Sequence, residues 1–394
     1  MVTSDVVVVG GGLLGVSAAY HLASAGASVL LLERDQLGLH ASGQNAGSLH
    51  FQLEYRMFEH GTAQAEHNAR ALPLHVDAAR AWGELEDRLG TSAGVARTGG
   101  LMLAETREQV RALELKAELE TGYGLPVELL DGEALRTAAP YLSRRVIAAA
   151  LCRAEGKADP RRVTHAYALA ARRHGAVVRT GASVVGLRRR SGGWRISVAD
   201  PAGGRPEEIT AGQVLIAAGV WTGEVAQLAD VRLPVVPVAL TMSVTERARP
   251  IISHLVQHAG RRLSMKQTAE GNVLIGGGWP SRLIAHDGRV DLSASPRPRL
   301  DSIRGNAAAA LVAPEVAPLR LLRVWTGTTS LLPDQMPLLG EIPRRPGLYA
   351  ATGGSAFTLG PTYARLLARL MKGERPDLPV ADYGPARFGH LTFA

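Results

Sequence analysis

The sequence predicts an α/β fold in which a nucleotide-binding domain is interleaved with a domain built on an antiparallel sheet. Three observations lead to this class. A glycine-rich strand–helix–strand unit opens the chain, the central residues alternate with the period of two typical of antiparallel strands, and strand and helix patterns return after residue 325. A length of 394 residues also favours two domains over one core.

The opening unit is a βαβ motif. Residues 5–9 are an apolar run typical of a buried parallel strand, and residues 13–25 have the apolar spacing of a helix that ends at Gly26. A second apolar run at 28–32 leads directly to Glu33. Strand, helix, second strand and acid therefore stand in the register of a nucleotide-binding unit.

The turn between the first strand and the helix has the G-x-G-x-x-G spacing of a dinucleotide site. Gly10 permits the tight turn, Gly12 lets a pyrophosphate approach the backbone, and Gly15 lets the helix pack closely on the strand. The phosphates then meet the positive end of the helix. Glu33 can accept hydrogen bonds from both ribose hydroxyls.

The first half of the chain continues with a loop and mixed elements. Residues 38–50 are rich in Gly, Ser, Ala and Asn, which is typical of a loop that follows a ligand closely. The elements predicted next are a long helix at 55–89, a strand at 95–104, a helix at 107–121 with Leu113, Leu115 and Leu119 on its apolar side, a short helix at 131–139, a strand at 147–152, and a helix from Pro160 to His174 with Asp159 as its N-cap.

The second half is predicted to be mostly strands. Its elements are strands at 176–180, 182–189, 194–199 and 214–219, an antiparallel region at 235–322 with a helical insert near 297–313, a loop at 327–347, a strand at 348–351, and a helix at 361–371. Both domains are therefore discontinuous. The nucleotide-binding domain comprises 1–90, 145–225 and 325–394, and the substrate-binding domain comprises 91–144 and 226–324.

Composition excludes several function classes. The net charge is +8, but 40 of the 44 basic residues are scattered arginines without interleaved aromatic residues, so no nucleic-acid partner is expected. Cys152 is the only cysteine, which excludes an internal disulfide, a thiolate zinc site and an iron–sulfur cluster held within the chain. His254 and His258 are spaced as on one helix face but lack a third ligand, so no metal is predicted.

The expected location is the cytoplasm, with peripheral association with the inner membrane as an alternative. The first strand begins at residue 5, which leaves no room for a signal sequence, and no apolar run is long enough for an integral membrane segment.

Four segments in order resemble the D-amino-acid-oxidase superfamily of FAD-dependent amine oxidoreductases, which includes glycine oxidase, sarcosine oxidase and the β subunits of dye-linked proline, hydroxyproline and opine dehydrogenases. They are residues 10–33, 41–48, 215–221 and 338–361. The resemblance implies a Rossmann-like FAD-binding domain of the glutathione-reductase type with an interleaved antiparallel substrate domain.

The resemblance also assigns cofactor contacts. It implies that the pyrophosphate lies over the first turn and that the adenosine contacts Glu33 and Val184. The edge of the isoalloxazine would contact the 42–48 loop, and the flavin N1 and O2 region would contact the terminal loop. The implied contacts are Gly10, Gly12, Leu13, Leu14, Gly15, Glu33, Arg34, Ser42, Gln44, Asn45, Ala46, Gly47, Ser48, Val184, Ala218, Gly219, Trp221, Gly354, Ala356, Phe357 and Thr358. A helix starting near Pro361 would favour the anionic reduced flavin. Cys152 lies outside the segments in which relatives tether the flavin, so FAD is expected to be non-covalent.

One departure from the family pattern concerns the substrate. Glycine-oxidase-like members carry an arginine that pairs with the substrate carboxylate, and Thr329 stands at that position here. A hydroxyl cannot neutralise a buried carboxylate, which favours a substrate other than a simple D-amino acid. The pattern of Trp325, Gly327, Pro333, Asp334 and Pro337 instead resembles the β subunits of heteromeric dehydrogenases.

Three residues are candidates for the substrate pocket. Residues 265–278 resemble a Gln-Thr hairpin that borders the pocket in those β subunits. Lys266 and Gln267 alternate faces on a strand, so only one can face the flavin. Gln267 is favoured, and Lys266 is the better carboxylate partner if the face is reversed. His50, which follows the flavin-edge loop, is the best histidine candidate.

The predicted function is FAD-dependent oxidation of an amine, and the favoured substrate is a secondary or cyclic amino acid such as hydroxyproline, sarcosine or an opine. Hydride transfer to flavin N5 would give an imine, and reoxidation would use oxygen, or a quinone reached through partner subunits carrying further redox centres. The alternatives are an accessory FAD subunit that only relays electrons, a D-amino acid or glycine oxidase, and an RNA-modifying flavoenzyme.

Overall fold

The computed structural model describes residues 2–389. Residue 1 and residues 390–394, which the predicted domains include, lie outside the described part. The strands are β1 (Val2–Val9), β2 (Val29–Leu32), β3 (Ser48–Leu49), β4 (Gly100–Ala104), β5 (Glu128–Asp131), β6 (Ala148–Cys152), β7 (Gly156–Lys157), β8 (Val177–Arg179), β9 (Val184–Arg190), β10 (Gly193–Val198), β11 (Glu207–Ile216), β12 (Val236–Arg247), β13 (Leu255–His258), β14 (Ser264–Gln267), β15 (Asn272–Gly276), β16 (Ser281–Arg282), β17 (Ala285–His286), β18 (Arg289–Val290), β19 (Arg297–Pro298), β20 (Leu321–Leu331), β21 (Leu338–Glu341) and β22 (Leu348–Thr352).

Helices alternate with these strands. The α-helices are α1 (Leu13–Ser24), α2 (Ala41–Gln44), α3 (Thr62–Ala69), α4 (Leu72–Gly83), α5 (Leu85–Leu89), α6 (Arg107–Gly122), α7 (Gly132–Ala138), α8 (Pro160–Arg173), α9 (Thr222–Gln227), α10 (Leu300–Ala310) and α11 (Ala356–Met371). Short 3₁₀ turns cover Tyr55–Met57, Gly219–Trp221, Pro314–Val316, Ala381–Tyr383 and Pro385–Phe388.

The first sheet is the predicted nucleotide-binding sheet. Its strand order is β21-β22-β11-β1-β2-β8, and β10 and β9 extend from β11. At its centre Val8 of β1 pairs in parallel with Leu215 on one side and Leu31 on the other. Because successive side chains of a strand alternate, β1 contributes Val8 to one core cluster and Val7 to another on the opposite face. Helices α1, α8 and α11 pack together on one of these faces.

The second sheet has the order β20-β12-β15-β14-β13-β4-β6-β5. Its pairs are antiparallel except for β13 with β4, which run parallel. Strand β6 follows the predicted boundary at 145, and β20 (321–331) contains the one at 325, yet both strands belong to this second sheet. The division into two discontinuous domains stays a prediction.

Three predicted helices differ from the structure. The helix at 55–89 is broken into a 3₁₀ turn and α3 to α5, with Gly61 in a left-handed conformation (φ 98°) before α3. On α6 Leu115 is 59% exposed, whereas Leu113 is buried as expected. The helix at the chain end begins at Ala356, five residues before Pro361, which lies inside α11. The predicted start at Pro361 was therefore wrong.

Two further sequence interpretations were wrong. Residues 327–331 and 338–341, predicted as loop, are the end of β20 and strand β21. His254 and His258 do not share a helix, because His258 ends strand β13 and His254 precedes it. The described residues hold no group of three His, Cys, Asp or Glu side chains arranged to bind a metal ion.

Candidate active site

A cavity of about 970 Å³ runs from the carboxyl end of β1 to the second sheet. Residues of the β1–α1 turn line one end, residues of the second sheet line the other, and the connecting segments form the walls between them. The cavity lies where parallel-sheet proteins bind their ligands, outside the carboxyl ends of the strands.

The β1–α1 turn packs so closely on neighbouring backbone that two of its residues must be glycine. Gly10 has φ 115°, and a Cβ there would lie 2.5 Å from the carbonyl oxygen of Ala217. A Cβ on Gly15 would collide with the carbonyl of Gly10, so the helix can pack this closely only with glycine. Helix α1 has no side-chain cap from Gly12 and no acidic residue in its first turn. Its positive end is therefore open to a phosphate.

Glu33 lies at the end of β2 and is nearly buried. Its Oε2 accepts a hydrogen bond from the Gly11 N–H at 2.6 Å, and its Oε1 accepts one from the Asp35 N–H at 2.7 Å. These contacts hold the carboxylate on the cavity wall while leaving lone pairs for ribose hydroxyls.

Aromatic and cationic side chains surround the space next to Glu33. The guanidinium of Arg34 lies 4.5 Å from the ring centre of Trp221, and the ring of His40 lies 4.7 Å from the same indole. Val184, at the start of β9, lines the same end of the cavity. Arg34 and His40 thus contact the Trp221 indole directly, and the three side chains form one continuous wall at this end of the cavity.

The 41–48 loop is folded by its own side chains. Ser42 Oγ accepts from the Leu13 N–H at 2.9 Å, which ties the loop to helix α1. Asn45 donates to the carbonyls of Ala41 and Ser42 and accepts from the Gly47 N–H, so its amide shapes the loop. The loop is also held from the second sheet, because Trp325 Nε1 donates to the Gln44 carbonyl at 2.7 Å.

Helix α11 directs a second positive end at the cavity. Its N-cap is Ser355, which adopts a left-handed conformation (φ 53°) that is uncommon outside glycine, and no side chain caps the helix. Ala356, Phe357 and Thr358 in the first turn line the cavity. The predicted dipole is therefore present at this end, but it starts at Ala356.

Most of the predicted cofactor contacts lie on the cavity wall. Those that line it are Gly10, Gly12, Leu14, Glu33, Arg34, Ser42, Gln44, Asn45, Ala46, Ser48, Val184, Ala218, Gly219, Trp221, Ala356, Phe357 and Thr358. Leu13, Gly15, Gly47 and Gly354 are not on the wall. They lie behind the wall. The Leu13 N–H donates a hydrogen bond to Ser42, and the Gly354 carbonyl accepts one from the Tyr363 hydroxyl.

His50 lies on the cavity wall near the second sheet. Its Nε2 is 3.0 Å from Ser264 Oγ on β14, and its buried Nδ1 has no partner among the described residues. Burial lowers the pKa of His50 to about 4, so the ring is neutral at neutral pH. In the tautomer whose Nε2–H donates to Ser264, Nδ1 is a buried acceptor without a partner among the described residues.

The structure supports neither Gln267 nor Lys266 as the residue that faces the flavin, because neither side chain lines the cavity. The Gln267 amide is bonded to backbone groups, accepting from the N–H groups of Ile251 and Ile252 and donating to three carbonyls. Gln267 thus has a structural role, and it does not line the cavity. Lys266 shares the strand face of Ser264 but is also not part of the wall.

Lys266 is buried without a hydrogen-bond partner among the described residues. Burial, together with the positive charge of Lys157, holds the pKa of its ammonium well below the ordinary value. A direct contact between Lys266 and a substrate carboxylate is not supported by this position.

The sequence interpretation missed an arginine on the wall. Arg56 donates to Gln335 Oε1 at 3.0 Å, Glu54 Oε1 at 3.2 Å and Ser355 Oγ at 3.4 Å. Burial alone would raise the pKa of Glu54, but the charge of Arg56, aided by hydrogen bonds, lowers it to about 2. Arg56 was missed because the segment was interpreted as part of a long helix, although Gly61 was a visible signal for a break.

Gln257 on β13 and Arg262 before β14 are also on the wall, and sequence reasoning missed both. Gln257 is 4% exposed and its Nε2 has no hydrogen-bond partner among the described residues. Period-two alternation along β13 and β14 could have placed Gln257 and Ser264 on one face, but not next to each other.

The site combines the dinucleotide-binding turn before α1, the N-terminal end of α11 and polar side chains from the second sheet. This combination is typical of nucleotide-dependent oxidoreductases. The chain matches the family model described as DAO: FAD dependent oxidoreductase over residues 5–370, and it belongs to this family. It is an FAD-dependent oxidoreductase, as predicted from the resemblance. Within residues 2–389, no helix combines the length and apolar character needed to cross a membrane.

Similar proteins cover the whole chain. One subunit of the opine oxidase of Rhizobium meliloti is 25% identical, with 98% of this chain and 97% of the relative covered. Glycine oxidase of Pseudomonas aeruginosa is 29% identical, with 97% of this chain and 98% of the relative covered. Among solved structures, L-proline dehydrogenase from P. horikoshii has a TM-score of 0.84 at 24% identity, and the match covers 99% of this chain and 98% of that structure's chain. Iminodiacetate oxidase from Chelativorans sp. BNC1 has a TM-score of 0.77 at 26% identity, and the match covers 96% of this chain and 99% of that structure's chain.

The residues of the cavity fit FAD. The first turn of α1 carries no acidic residue and suits the pyrophosphate, and Glu33, which accepts from the Gly11 N–H beside it, suits the ribose. The uncapped start of α11 suits the electron-rich edge of an isoalloxazine.

Proposed function

We propose that the chain oxidises the carbon–nitrogen bond of a small secondary or cyclic amino acid. The observation that carries this proposal is the wall around Thr329. Thr329 pairs with Val238 across β12 and β20, and Leu240 and Met242 line the same wall. A hydroxyl among apolar side chains suits an N-alkyl group or a ring, whereas it offers no charge to a carboxylate.

Arg56 is the proposed carboxylate partner. Three of its hydrogen bonds fix the guanidinium between Gln335, Glu54 and Ser355, and a guanidinium has five donors. A donor that remains free can therefore meet a carboxylate without rearrangement of the side chain. Charge-assisted hydrogen bonds of this kind are roughly twice as strong as neutral ones.

His50 is the proposed partner of the substrate nitrogen. Its buried Nδ1, which has no partner among the described residues, is the acceptor that we propose for an amine N–H, and this hydrogen bond would orient the nitrogen lone pair. We propose that the amine is bound uncharged, because a neutral imidazole can accept a hydrogen bond from an amine but offers no charge to an ammonium. No strong general base is then required.

Bound FAD supplies the acceptor for the hydride that leaves the α carbon, while the nitrogen lone pair forms the C=N bond of the product imine. The chain holds the reacting carbon by fixing the carboxylate at Arg56 and the nitrogen at His50. Two fixed points on adjacent atoms orient a small substrate far better than one.

Anaerobic bleaching of the flavin near 450 nm tests the proposal. Proline, hydroxyproline, N-methyl amino acids and opines should reduce the flavin faster than glycine or D-alanine, and Arg56→Gln should slow the better substrates by at least about tenfold. Arg282→Gln is the matched control, because Arg282 is exposed and outside the cavity. Glycine or D-alanine outpacing the other compounds would contradict the proposal, and an absence of bleaching with all of them would favour an accessory electron-transfer subunit.

We also propose that FAD is bound without a covalent link. Cys152 is buried on β6 and does not line the cavity, and burial raises the pKa of its thiol to about 12, so the thiol is unreactive. Acid precipitation should release the flavin into the supernatant. A yellow pellet that keeps flavin fluorescence would contradict this.

Electrons are proposed to leave through a partner subunit or a quinone in preference to oxygen. The similarity to a protein whose name makes it one subunit of an opine oxidase supports a partner subunit. Reduced protein mixed with air should reoxidise more slowly than with an artificial quinone acceptor. Equal or faster reoxidation by oxygen would favour an oxidase.

A further inference from the structure

A buried carboxylate lies behind the wall that carries His50. Glu155, which follows β6, is fully buried. Its Oε1 accepts hydrogen bonds from the Phe51 N–H at 2.7 Å and the Gln52 N–H at 2.8 Å, and its Oε2 accepts one from Gln52 Nε2 at 3.1 Å. The Phe51 N–H belongs to the same planar peptide group as the His50 carbonyl. The carboxylate therefore fixes the orientation of the backbone next to His50.

The neighbouring elements leave a fitted space for this carboxylate. A Cβ on Gly100 of β4 would collide with Oε2 of Glu155, so the strand makes room for the carboxylate only with glycine at this position. Gln52 is held on its other side, because its Oε1 accepts from Lys116 Nζ at 3.0 Å and its Nε2 also donates to the Gly100 carbonyl at 3.3 Å. The amide of Gln52 is thus fixed with its donor toward Glu155.

The partners of Glu155 suit its ionised form. The three hydrogen bonds that its side chain accepts from the described residues all come from N–H donors, and an ionised carboxylate is only an acceptor. A neutral carboxyl would turn its O–H toward one of these donors, and the remaining hydrogen bonds would lose their charge assistance. Burial raises the pKa of Glu155 to about 7, so both forms are present near neutral pH.

We propose that Glu155 is a positioning residue for the substrate nitrogen: its carboxylate holds the peptide that follows His50 and so keeps the imidazole in place, and protonation of the carboxylate relaxes this hold. The inference rests on the proposed function, which assigns the nitrogen to His50. Glu155 itself does not line the cavity, so it acts through the segment 50–52.

Two ring acids that cannot be oxidised at the α carbon isolate the contribution of His50. Pyrrole-2-carboxylate has an N–H donor beside its carboxylate, and furan-2-carboxylate has oxygen in place of that N–H. Neither has a group that titrates between about pH 6 and pH 8.5. Each is titrated into the FAD-loaded protein, and the change in flavin absorbance gives Kd. At about pH 8.5 the pyrrole should bind at least about fivefold more tightly than the furan, and at about pH 6 the ratio of the two Kd values should fall toward one.

Other titratable and charged groups face Glu155 or the segment that it holds. They are His50, His75 on α4, Lys116 and Glu120 on α6, and Cys152 on β6. Burial lowers the pKa of both histidines to about 4 and raises that of the thiol to about 12, so these three groups keep one charge in this pH range. Burial also raises the pKa of Glu120, so a variant of Glu155 is needed to assign the pH dependence.

Glu155→Gln keeps the size of the side chain but cannot ionise, and it turns an NH₂ group toward the donor of Gln52. The ratio of Kd values should then stay below about two at both pH values, while the Kd for FAD stays within about threefold. Glu105→Gln is the matched control. The side chain of Glu105 is 9% exposed beside the second sheet but lies outside the cavity, and the variant should keep both the ratio and its pH dependence.

The outcomes separate this inference from the proposed function. A ratio that His50→Ala abolishes, but that neither pH nor Glu155→Gln alters, would overturn the role of Glu155 and leave that of His50 intact. A pH dependence that persists in Glu155→Gln would overturn it as well. A ratio near one in the unmodified protein at about pH 8.5, or one that survives His50→Ala, would contradict the assignment of the nitrogen to His50 and this inference with it. If Glu155→Gln does not retain FAD, the pH dependence of the ratio in the unmodified protein decides alone.

Discussion

Removing the buried Lys116 ammonium should destabilise the fold mainly through the carboxylate that it leaves behind. Lys116 on α6 is 2% exposed and Glu120 is fully buried, and their Nζ and Oε2 atoms are 2.7 Å apart. Lys116 also donates to Gln52 Oε1 at 3.0 Å, and Glu120 accepts from the Leu53 N–H at 2.6 Å. Lys116→Met leaves Glu120 with that one donor and Gln52 Oε1 without a partner.

The magnitude follows from this loss. Breaking a buried ion pair by removing one partner costs about 3–5 kcal/mol of unfolding free energy. An unfolding entropy of about 2.1 cal/mol/K per residue gives about 0.8 kcal/mol/K for this chain, so Tm should fall by about 4–6 °C. The double variant Lys116→Met/Glu120→Gln removes both charges but keeps an acceptor for the Leu53 N–H. It should therefore recover more than half of the unfolding free energy that Lys116→Met loses.

Urea and thermal unfolding of the FAD-loaded protein measure these differences. Lys372→Met is the matched control, because Lys372 is 39% exposed beside Glu374 and its removal should cost less than about 1 kcal/mol. If the single and double variants are equally unstable, or if Lys116→Met behaves like Lys372→Met, the stranded carboxylate is not the cause and the reasoning fails.

Three further outcomes are expected at the site. Glu33→Gln should weaken FAD by about 10- to 150-fold in a titration of the apo-protein, because it loses charge-assisted hydrogen bonds worth about 1.5–3 kcal/mol; an unchanged Kd would contradict this. Because burial lowers the pKa of His50 to about 4, its contribution to stability is present above about pH 6.5 and is lost as pH falls toward 4. The stability advantage of the unmodified protein over His50→Asn should thus shrink between about pH 7.5 and pH 5 in urea unfolding, and a constant difference would refute the assignment. Thr329→Arg should shift flavin bleaching toward glycine and D-alanine, and an unaltered order of substrates would count against the role given to this wall.

The nucleotide-binding unit could be predicted because its determinants are local. Gly10, Gly12, Gly15 and Glu33 lie within one βαβ unit, where chain connectivity alone brings the turn, the helix end and the acid together. The family model and the structure agree with this assignment. Local determinants also gave α8 with Asp159 as its N-cap, whose carboxylate accepts from the Arg161 and Arg162 N–H groups.

The start of α11 could not be predicted from the same kind of rule. The helix was predicted to start at Pro361, and proline, which lacks an N–H, is common in the first turn of a helix. In the structure five residues precede it in the helix, and the strained Ser355 at the N-cap is held by its hydroxyl, which donates to Glu54. That contact joins residues 301 positions apart in the chain, and no local pattern indicates it.

The choice between Lys266 and Gln267 could not be made from the sequence, for a physical reason. Alternation along a strand fixes that the two side chains point to opposite faces, but the face that meets the cofactor depends on how the sheet is oriented against the other domain. The register sets Lys266 opposite Leu274 and Gln267 opposite Val273. Gln267 then meets the 248–252 backbone, and its amide is fully used by hydrogen bonds there.

The wall that faces the substrate depends on a polar network rather than on the cofactor loop. Between His50 and Arg56, the N–H groups of residues 51 and 52 donate to Glu155 Oε1, and that of Leu53 donates to Glu120. Glu155 follows β6, and Glu120 lies on α6, so the segment is anchored to the side of the second sheet. The two groups assigned to nitrogen and carboxylate therefore keep their spacing through contacts that FAD does not make, and substrate geometry can be altered from α6 without altering the nucleotide-binding turn.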